Sequence, residues 1–269
     1  MTNPIPVPPL SVLYSDNHLL VIDKPAGIAT MGSPQDSQTI ARQAALYLQR
    51  KYNKPGKAFI GVVSRLDRLV SGVLVLARTS KAAARISEQL RQGRVEKLYL
   101  AIVEGRLQTS SASSTVYREL VDWVAKDESA QRMRVVDESH PQAQVARLRL
   151  QPLASSGDKT LVKIELLTGR KHQIRLQLAE QGTPIWGDKK YGARCRFVSP
   201  AGVQMRSSAG GRDAGRPSEA IALHCQQLSL LHPTLKQTMV FQSSPQTHWP
   251  QIPADFDKWL VVRQGSNSG

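Results

Sequence analysis

Thiols are scarce in this chain. Cys195 and Cys225 are the only two, with no paired or clustered spacing, which excludes a disulfide framework and leaves two free thiols. The six histidines are scattered, and none falls in a Cys/His cluster of the kind a structural zinc site uses, so no metal is expected. His224 beside Cys225 comes nearest, and inside the apolar run 221–225 it is assigned to packing. Long apolar runs are missing too. The longest, around Gly72 to Ala77, is far short of the ~20 residues that a helical membrane span needs. The N-terminus, MTNPIPVPPL, has neither a basic leader nor an apolar secretion core, so the expected compartment is the cytoplasm. Acidic residues are outnumbered, 21 against 36 Lys and Arg, and the formal net charge of +15 attracts polyanions without naming one. Nucleic acid and an acidic membrane surface are both compatible with it.

What is present describes a folded protein. A chain of 269 residues with 41% hydrophobic and 21% charged residues can bury a substantial core without staples. One large domain is expected over 11–245, after an extended, proline-rich arm at 1–10 and before a tail at 246–269. Within it, 198–219 contains RSSAGGRDAGRPSE, too poor in apolar residues to pack by itself, and is expected to be a flexible basic insert. No internal repeat is visible. His18 to Asp23 reads as a buried strand ended by the turn Lys24-Pro25-Ala26-Gly27. A helix follows, capped at Ser37, with Ile40, Ala44 and Leu48 inward, up to Lys54-Pro55-Gly56. Phe59 to Val63 and Val73 to Ala77 are short β-rich runs flanking SRLDRLVSG. Ser80 caps a second helix with Ala83, Ile86 and Leu90 inward and a stop near Gly93. Leu98 to Val103 is a strand, and an irregular Ser-rich stretch follows it. Val145 to Leu150 alternates, placing Arg147 and Arg149 on one wet or phosphate-bound face. Leu161 to Leu167 is the next strand, and a helix through Ile174 and Leu178 ends at Gly182. Later strands are expected at Ile221 to Cys225, Gln227 to Leu231 and Gln237 to Gln242. Consecutive strands outnumbering helices make this an α+β domain with a mixed, mainly antiparallel sheet flanked by helices.

In SRLDRLVSG an acidic side chain, Asp67, is bracketed by Arg65 and Arg68 on a connection that sheet supports. Neighbouring guanidinium favours the carboxylate, so Asp67 suits nucleophilic, electrostatic or weakly basic work better than acid catalysis. An arbitrary Asp in such a setting is more often one half of a surface ion pair.

Ser64 to Gly72, followed by the apolar Val73 to Arg78, resembles the signature of the RluA-type pseudouridine synthases, HRLDxxTSG and a strand. Four further blocks agree in order and spacing: LLVIDKPAGI at 19–28, KLYLAIVEG at 97–105, TGRKHQIRLQLAEQGTPIWGDKKYG at 168–192 and LHCQQLSLLHP at 223–233. The resemblance covers most of 19–233. It implies a pseudouridine synthase catalytic fold and the isomerisation of uridine to pseudouridine in a structured RNA, ribosomal or transfer, with no cofactor. Asp67 matches the family's catalytic Asp, Tyr99 its active-site Tyr, and Arg175 the basic residue that pairs with the carboxylate. Lys24-Pro25 is taken as architectural. Ser64 stands where the family usually has His, and Val70 where it usually has Thr.

Breaking the uracil N-glycosidic bond, turning the base and rejoining it through carbon demands a carboxylate beside the ribose and a surface that keeps the base captive. Tyr99 offers a flat face and a hydroxyl. A stacked uridine must leave its stack, at a cost of about a few kcal/mol, and Arg65 is the candidate for filling the vacancy or holding the displaced strand. Arg170, Lys189 and Lys190 are candidates for phosphate contacts. No obligatory protein partner and no membrane are expected. RNA is expected to be held by the catalytic domain, since the first matching block begins too close to the N-terminus for the separate upstream module of many relatives. A metal-dependent nuclease lacks the clustered carboxylates that hold magnesium. The competing reading is a catalytically weak or inactive RNA-binding or ribosome-assembly protein on the same fold. The intact set Asp67, Tyr99 and Arg175 favours the enzyme; Ser64 and Val70 are what that competing reading rests on.

Overall fold

The computed structural model describes residues 10–32, 39–53, 55–107, 117–198, 219–249 and 252–260. Nearly all of the expected arm and insert, and the expected helix cap Ser37, lie outside these. In chain order the first half holds β1 (Val12–Ser15), β2 (Leu19–Lys24), α1 (Ile40–Lys51), β3 (Gly61–Val62), β4 (Ser71–Ala77), α2 (Ser80–Arg91) and β5 (Glu96–Glu104). The second half adds β6 (Arg118–Asp127), β7 (Arg132–Val136), β8 (Gln144–Ser156), β9 (Lys159–Leu166), α3 (Gln173–Glu180), β10 (Leu223–Leu231) and β11 (Thr238–Gln242).

Among the described residues all eleven strands join one sheet in the order β1-β2-β4-β10-β5-β9-β8-β6-β7, with β3 added to β4 and β11 to β10. β2 and β4 are its most apolar strands. Both are buried on their two faces, which is why they read as continuous hydrophobic runs rather than as alternation. β4 and β10 are parallel, and every other described pairing is antiparallel. They meet only at Ser71–His224 and Gly72–Cys225 and then diverge, β3 taking the far end of β4 and β11 that of β10. Gly72 is obligatory at this fork. Its φ is 110°, and a Cβ there would lie 2.3 Å from the Cys225 carbonyl oxygen. The segment carrying Asp67 runs directly into the fork.

The helices follow the expected pattern with shifted caps. Thr39 caps α1 by accepting from the Arg42 amide, and Arg50 and Lys51 complement the dipole at its end. Thr79, one residue before the expected Ser80, caps α2. Its buried face is Ala82, Ile86 and Gln89, with Ala83 and Leu90 at the margin, so the helix is rotated from the expected face. Gln89 is the reason: its side chain accepts from the Leu231 amide and donates to the Leu231 carbonyl on β10, a polar anchor that apolar periodicity cannot reveal.

Three expectations need correction. The stretch after β5 is not irregular throughout, because β6 and β7 form a hairpin paired to β8. The two strands expected at 221–231 are one strand with a bulge between Cys225 and Gln227. The core does not stop at 245: short turns at Pro245–Thr247 and Ala254–Phe256 and a last helical turn, Asp257–Leu260, bring Trp249, Phe256 and Leu260 into it. A smaller apolar cluster of Val124, Met133, Ala146, Leu176 and Tyr191 joins the β6–β7 hairpin to α3. No described helix is long and apolar enough to cross a membrane.

Candidate active site

The loop between β3 and β4 is held from below by the turn after β2. Lys24 is fully buried, and its ammonium donates to the carbonyls of Pro25 and Val70, each at 2.8 Å. Burial pushes Lys24 down to about 7, against the attraction of Asp67. The Thr30 hydroxyl donates to the Leu66 carbonyl at 2.8 Å and accepts from the Leu66 amide at 3.2 Å. The Gly27 amide donates to the Arg68 carbonyl at 2.7 Å, and Val70 closes a turn onto Asp67. Backbone groups on either side of Asp67 are thus fixed, which leaves its carboxylate projecting from a rigid support. Lys24 is architectural, as its motif match implies.

α3 brings the partners. Its polar side chains are buried: Gln173 accepts from Thr168 and the Arg170 amide, Gln177 donates to Asp122, and Gln173 donates to Gln177, so an amide ladder ties the helix to β6 and β8. Arg175 points toward the loop. Its Nε and Nη2 donate to the two carboxylate oxygens of Asp188 at 2.6 and 2.7 Å, and its Nη1 donates to Asp67 Oδ2 at 3.3 Å. Asp188 therefore clamps the guanidinium and leaves one edge for Asp67. The guanidinium also lies over the Tyr191 ring, 5.0 Å from its centroid. His172, the left-handed residue before α3, places Nε2 3.7 Å from Asp67 Oδ2 and Nδ1 3.0 Å from the Tyr191 hydroxyl. Burial, with Arg175, Lys171 and Lys190 nearby, lowers His172 to about 4 against the pull of Asp67, so the ring is neutral at neutral pH.

Asp67, with its side chain 31% exposed, opens into a cleft of about 370 Å³. Arg68, His172, Arg175, Asp188, Lys189 and Lys190 line one part of it, and Arg196, Phe197, Glu219 and Ala220 the rest. Gly187 forms part of the wall at φ 91°, where a Cβ would strike Phe197 and the Ala220 carbonyl. Phe197 is backed edge-on by Trp186 and Trp249. Glu104 holds the segment that carries Arg196 by accepting from the amides of Arg194 and Cys195.

The other expected residues divide. Tyr99 lies on β5 opposite Cys225 and is not part of the cleft wall. Burial, the Cys225 thiol that accepts from its hydroxyl and the charge of Asp67 all push Tyr99 well above the usual tyrosine range, so it stays protonated. Burial likewise pushes Cys225 up to about 12. Arg65 is exposed on the loop and does not line the cleft. Arg170 is half-buried and donates to the Val145 carbonyl at 2.9 Å, which makes it a brace between the turn and β8. Lys189 and Lys190 are exposed at the rim, Lys190 reaching the Gln131 carbonyl of the hairpin turn. Arg147 and Arg149 do share an exposed face of β8, where Glu119 and Glu165 pair with them. Asp188 and Arg196 were not singled out from sequence. Asp188 sits in GDKKYG, inside a matched block, but only burial distinguishes it from a surface charge.

A carboxylate fixed beside a clamped guanidinium and a neutral imidazole, in a cleft rimmed by cations, suits nucleophilic or basic work by the carboxylate on an anionic ligand. The comparisons agree in kind. The profile of the RNA pseudouridylate synthase family matches residues 18–180. The chain is 32% identical over 236 residues to the ribosomal large subunit pseudouridine synthase D of Nitrosomonas europaea, covering 87% of this chain and 62% of that one. It is 36% identical over 225 residues to the protein of that description in Xanthomonas campestris pv. campestris, covering 84% and 62%. Among solved structures it resembles human RNA pseudouridylate synthase domain containing 4, with a TM-score of 0.63 and 25% identity over 91% of this chain and 90% of that one. The chain thus spans about 62% of the length of those two bacterial relatives.

Proposed function

The chain belongs to the RNA pseudouridylate synthase family, and from that premise we propose that it isomerises uridine to pseudouridine in structured RNA, with Asp67 as the essential carboxylate and no cofactor. The names of its bacterial relatives favour ribosomal RNA of the large subunit as the substrate. The observation that carries the reading is the Asp188–Arg175–Asp67 chain at the mouth of a basic cleft.

In this reading the target nucleotide leaves its stack, at a cost of about a few kcal/mol. Lys189, Lys190, Arg68 and Arg196 receive its phosphates and those of its neighbours. Arg65, exposed two residues before Asp67, faces the vacated stack. Asp67 acts at the sugar, by attack or by removing a proton, while Arg175 keeps the carboxylate aimed. Tyr99, held protonated and near enough to Asp67 to feel its charge, serves as a neutral group behind the carboxylate and is poorly suited to removing a proton. Arg170 serves this arrangement as a brace and not as a phosphate ligand. The inactive reading gains nothing from Val70. That residue is buried, and its backbone, not a side-chain hydroxyl, receives Lys24 and closes the turn on Asp67.

The test is to incubate the protein with total RNA from a strain lacking it and to map pseudouridine at single-nucleotide resolution. A new modified site is expected with the native protein. None is expected with Asp67→Asn, which should bind RNA as before. Equal modification by the variant, or none by the native protein on any RNA, would overturn the proposal.

A further inference from the structure

The donors around Asp67 are not equally free. Arg175 is committed, with two edges of its fork on Asp188 and the third on Asp67. The cations of the rim, Lys189 and Lys190, are exposed. His172 differs from both. Its ring is nearly buried, with 11% of the side chain exposed, and its Nε2 is 3.7 Å from Asp67 Oδ2, too far for a hydrogen bond between them.

The tautomer follows from the contacts behind it. The Met133 amide can only donate, and it does so to the Tyr191 oxygen at 3.0 Å. The Tyr191 proton then has His172 Nδ1, 3.0 Å away, as its acceptor. A neutral ring that accepts at Nδ1 carries its proton on Nε2, and so directs an uncommitted N–H at the space beside the working carboxylate.

What occupies that space is fixed by the chemistry of a nucleoside. Whether Asp67 attacks C1′ or removes a proton from C2′, two sugar oxygens lie beside these carbons, O4′ and the 2′-hydroxyl. An N–H donor at O4′ would oppose the positive charge that builds there as the glycosidic bond breaks, which leaves the 2′-hydroxyl. We infer that His172 Nε2–H donates to the 2′-hydroxyl of the target nucleotide, making His172 a residue that selects ribose over deoxyribose, with Tyr191 and the Met133 amide as the groups that orient it. This inference rests on the proposed function. It gives the β6–β7 hairpin a task in the site, since the amide that sets the donor belongs to β7. Discrimination between RNA and DNA through this hydroxyl needs a donor or acceptor placed at the sugar, and a neutral donor supplies it without competing with Arg175 for the carboxylate.

The test exploits the unusual backbone of His172, whose φ of 53° is tolerated by Asn. In His172→Asn the shorter side chain keeps an oxygen for the Tyr191 hydroxyl and loses the donor at the Nε2 position. His172→Gln puts an amide N–H near that position. Single-turnover rates are measured on two ligated versions of a transcript that the native protein modifies, with uridine or 2′-deoxyuridine at the target. Where the deoxy version is not turned over, its inhibition constant is compared with KM for the ribose version. The native protein should prefer ribose by about tenfold or more, the value of one well-placed hydrogen bond. His172→Asn should lose that preference by weakening on the ribose version alone, and His172→Gln should restore most of it. Equal loss on both versions, or an unchanged preference, would overturn the inference while leaving the isomerase reading intact. A native protein that modifies no transcript sinks both.

Discussion

Removing the negative charge of Asp188 separates the support of the site from its chemistry. Asp188→Asn keeps the shape of the side chain and one acceptor, but turns an amide donor toward a guanidinium that can only donate. The side chains are 5% exposed for Arg175 and 1% for Asp188, so water cannot compensate the lost partner. Breaking a buried ion pair from one side costs about 3–5 kcal/mol. The remaining acceptor places this case at the low end, about 3 kcal/mol, or a fall in Tm of about 6–12 °C for a chain of this size. The catalytic consequence is larger than a stability loss alone. In the native protein Arg175 offers Asp67 a single 3.3 Å contact because Asp188 holds the other two nitrogens. Once released, the fork can turn to a two-point pair with Asp67, pulling the carboxylate from the sugar and dispersing its charge. A fall in kcat of about 100-fold, corresponding to about 2.7 kcal/mol, is expected at a temperature where the variant is fully folded. Calorimetry gives the first number and single-turnover kinetics the second. A variant with native Tm and native kcat would show that Arg175 is held in place by other contacts and that the clamp is incidental.

Gly72→Ala forces a Cβ into the Cys225 backbone at a positive φ, and should leave the protein insoluble or lower its Tm by about 10 °C; a soluble variant with native Tm would remove the fork from the account. RNA affinity should fall steeply with salt, with a log–log slope of about −3 if Arg68, Lys189, Lys190 and Arg196 each meet a phosphate. Lys189→Ala should make that slope shallower by about 0.7, and an unchanged slope would take Lys189 out of the contact set. His172 is neutral when folded down to about pH 4 but binds its proton near pH 6.5 when unfolded, so its contribution to stability is complete above pH 6.5 and is lost as pH falls through that window. Between pH 6.5 and 4 the stability of His172→Asn should therefore depend on pH less steeply than that of the native protein, by about one proton or 1.4 kcal/mol per pH unit. Coincident slopes in pH-resolved thermal denaturation would mean that the ring is not desolvated.

The parts of the fold that can be read from sequence are those where one physical demand acts alone. Leu19–Ile22 and Val73–Ala77 are apolar on both faces because both faces of these strands are covered, and both runs announce themselves. Arg147 and Arg149 alternate with buried Ala146, Leu148 and Leu150 because one face of β8 is wet. Where two demands meet, the pattern blurs. β6 carries Asp122 on its inner side to receive Gln177, and α3 buries Gln173, Arg175 and Gln177 alongside Ile174 and Leu178. A strand with an inward carboxylate and a helix with inward amides and a guanidinium break the alternation and the stripe that define such elements. The hairpin of β6 and β7 was accordingly invisible. α3 was legible through its spacing of Ile174 and Leu178 and its stop at Gly182, not through its polar face.

The site divides along the same line. Asp67 draws notice because Arg65 and Arg68 flank it, yet both flanking guanidiniums are exposed, where an ion pair is worth little. The partner that acts on it is 108 residues further along, buried, and pinned by a third residue. Local charge patterning draws notice to Asp67 for a reason the fold does not support, because solvent screens neighbours in sequence while burial magnifies neighbours in space. The match of ordered blocks supplied Arg175. It could not supply Asp188, His172 or Tyr191 with a task, because a clamp, a donor and an orienting hydroxyl are properties of contacts. In sequence, GDKKYG is a charged turn. In the fold its Asp fixes a guanidinium, its first Lys faces the cleft, and its Tyr hydroxyl meets the imidazole that stands beside the carboxylate. A substitution in that turn is therefore expected to act on chemistry through Arg175 and His172, even where it touches no RNA.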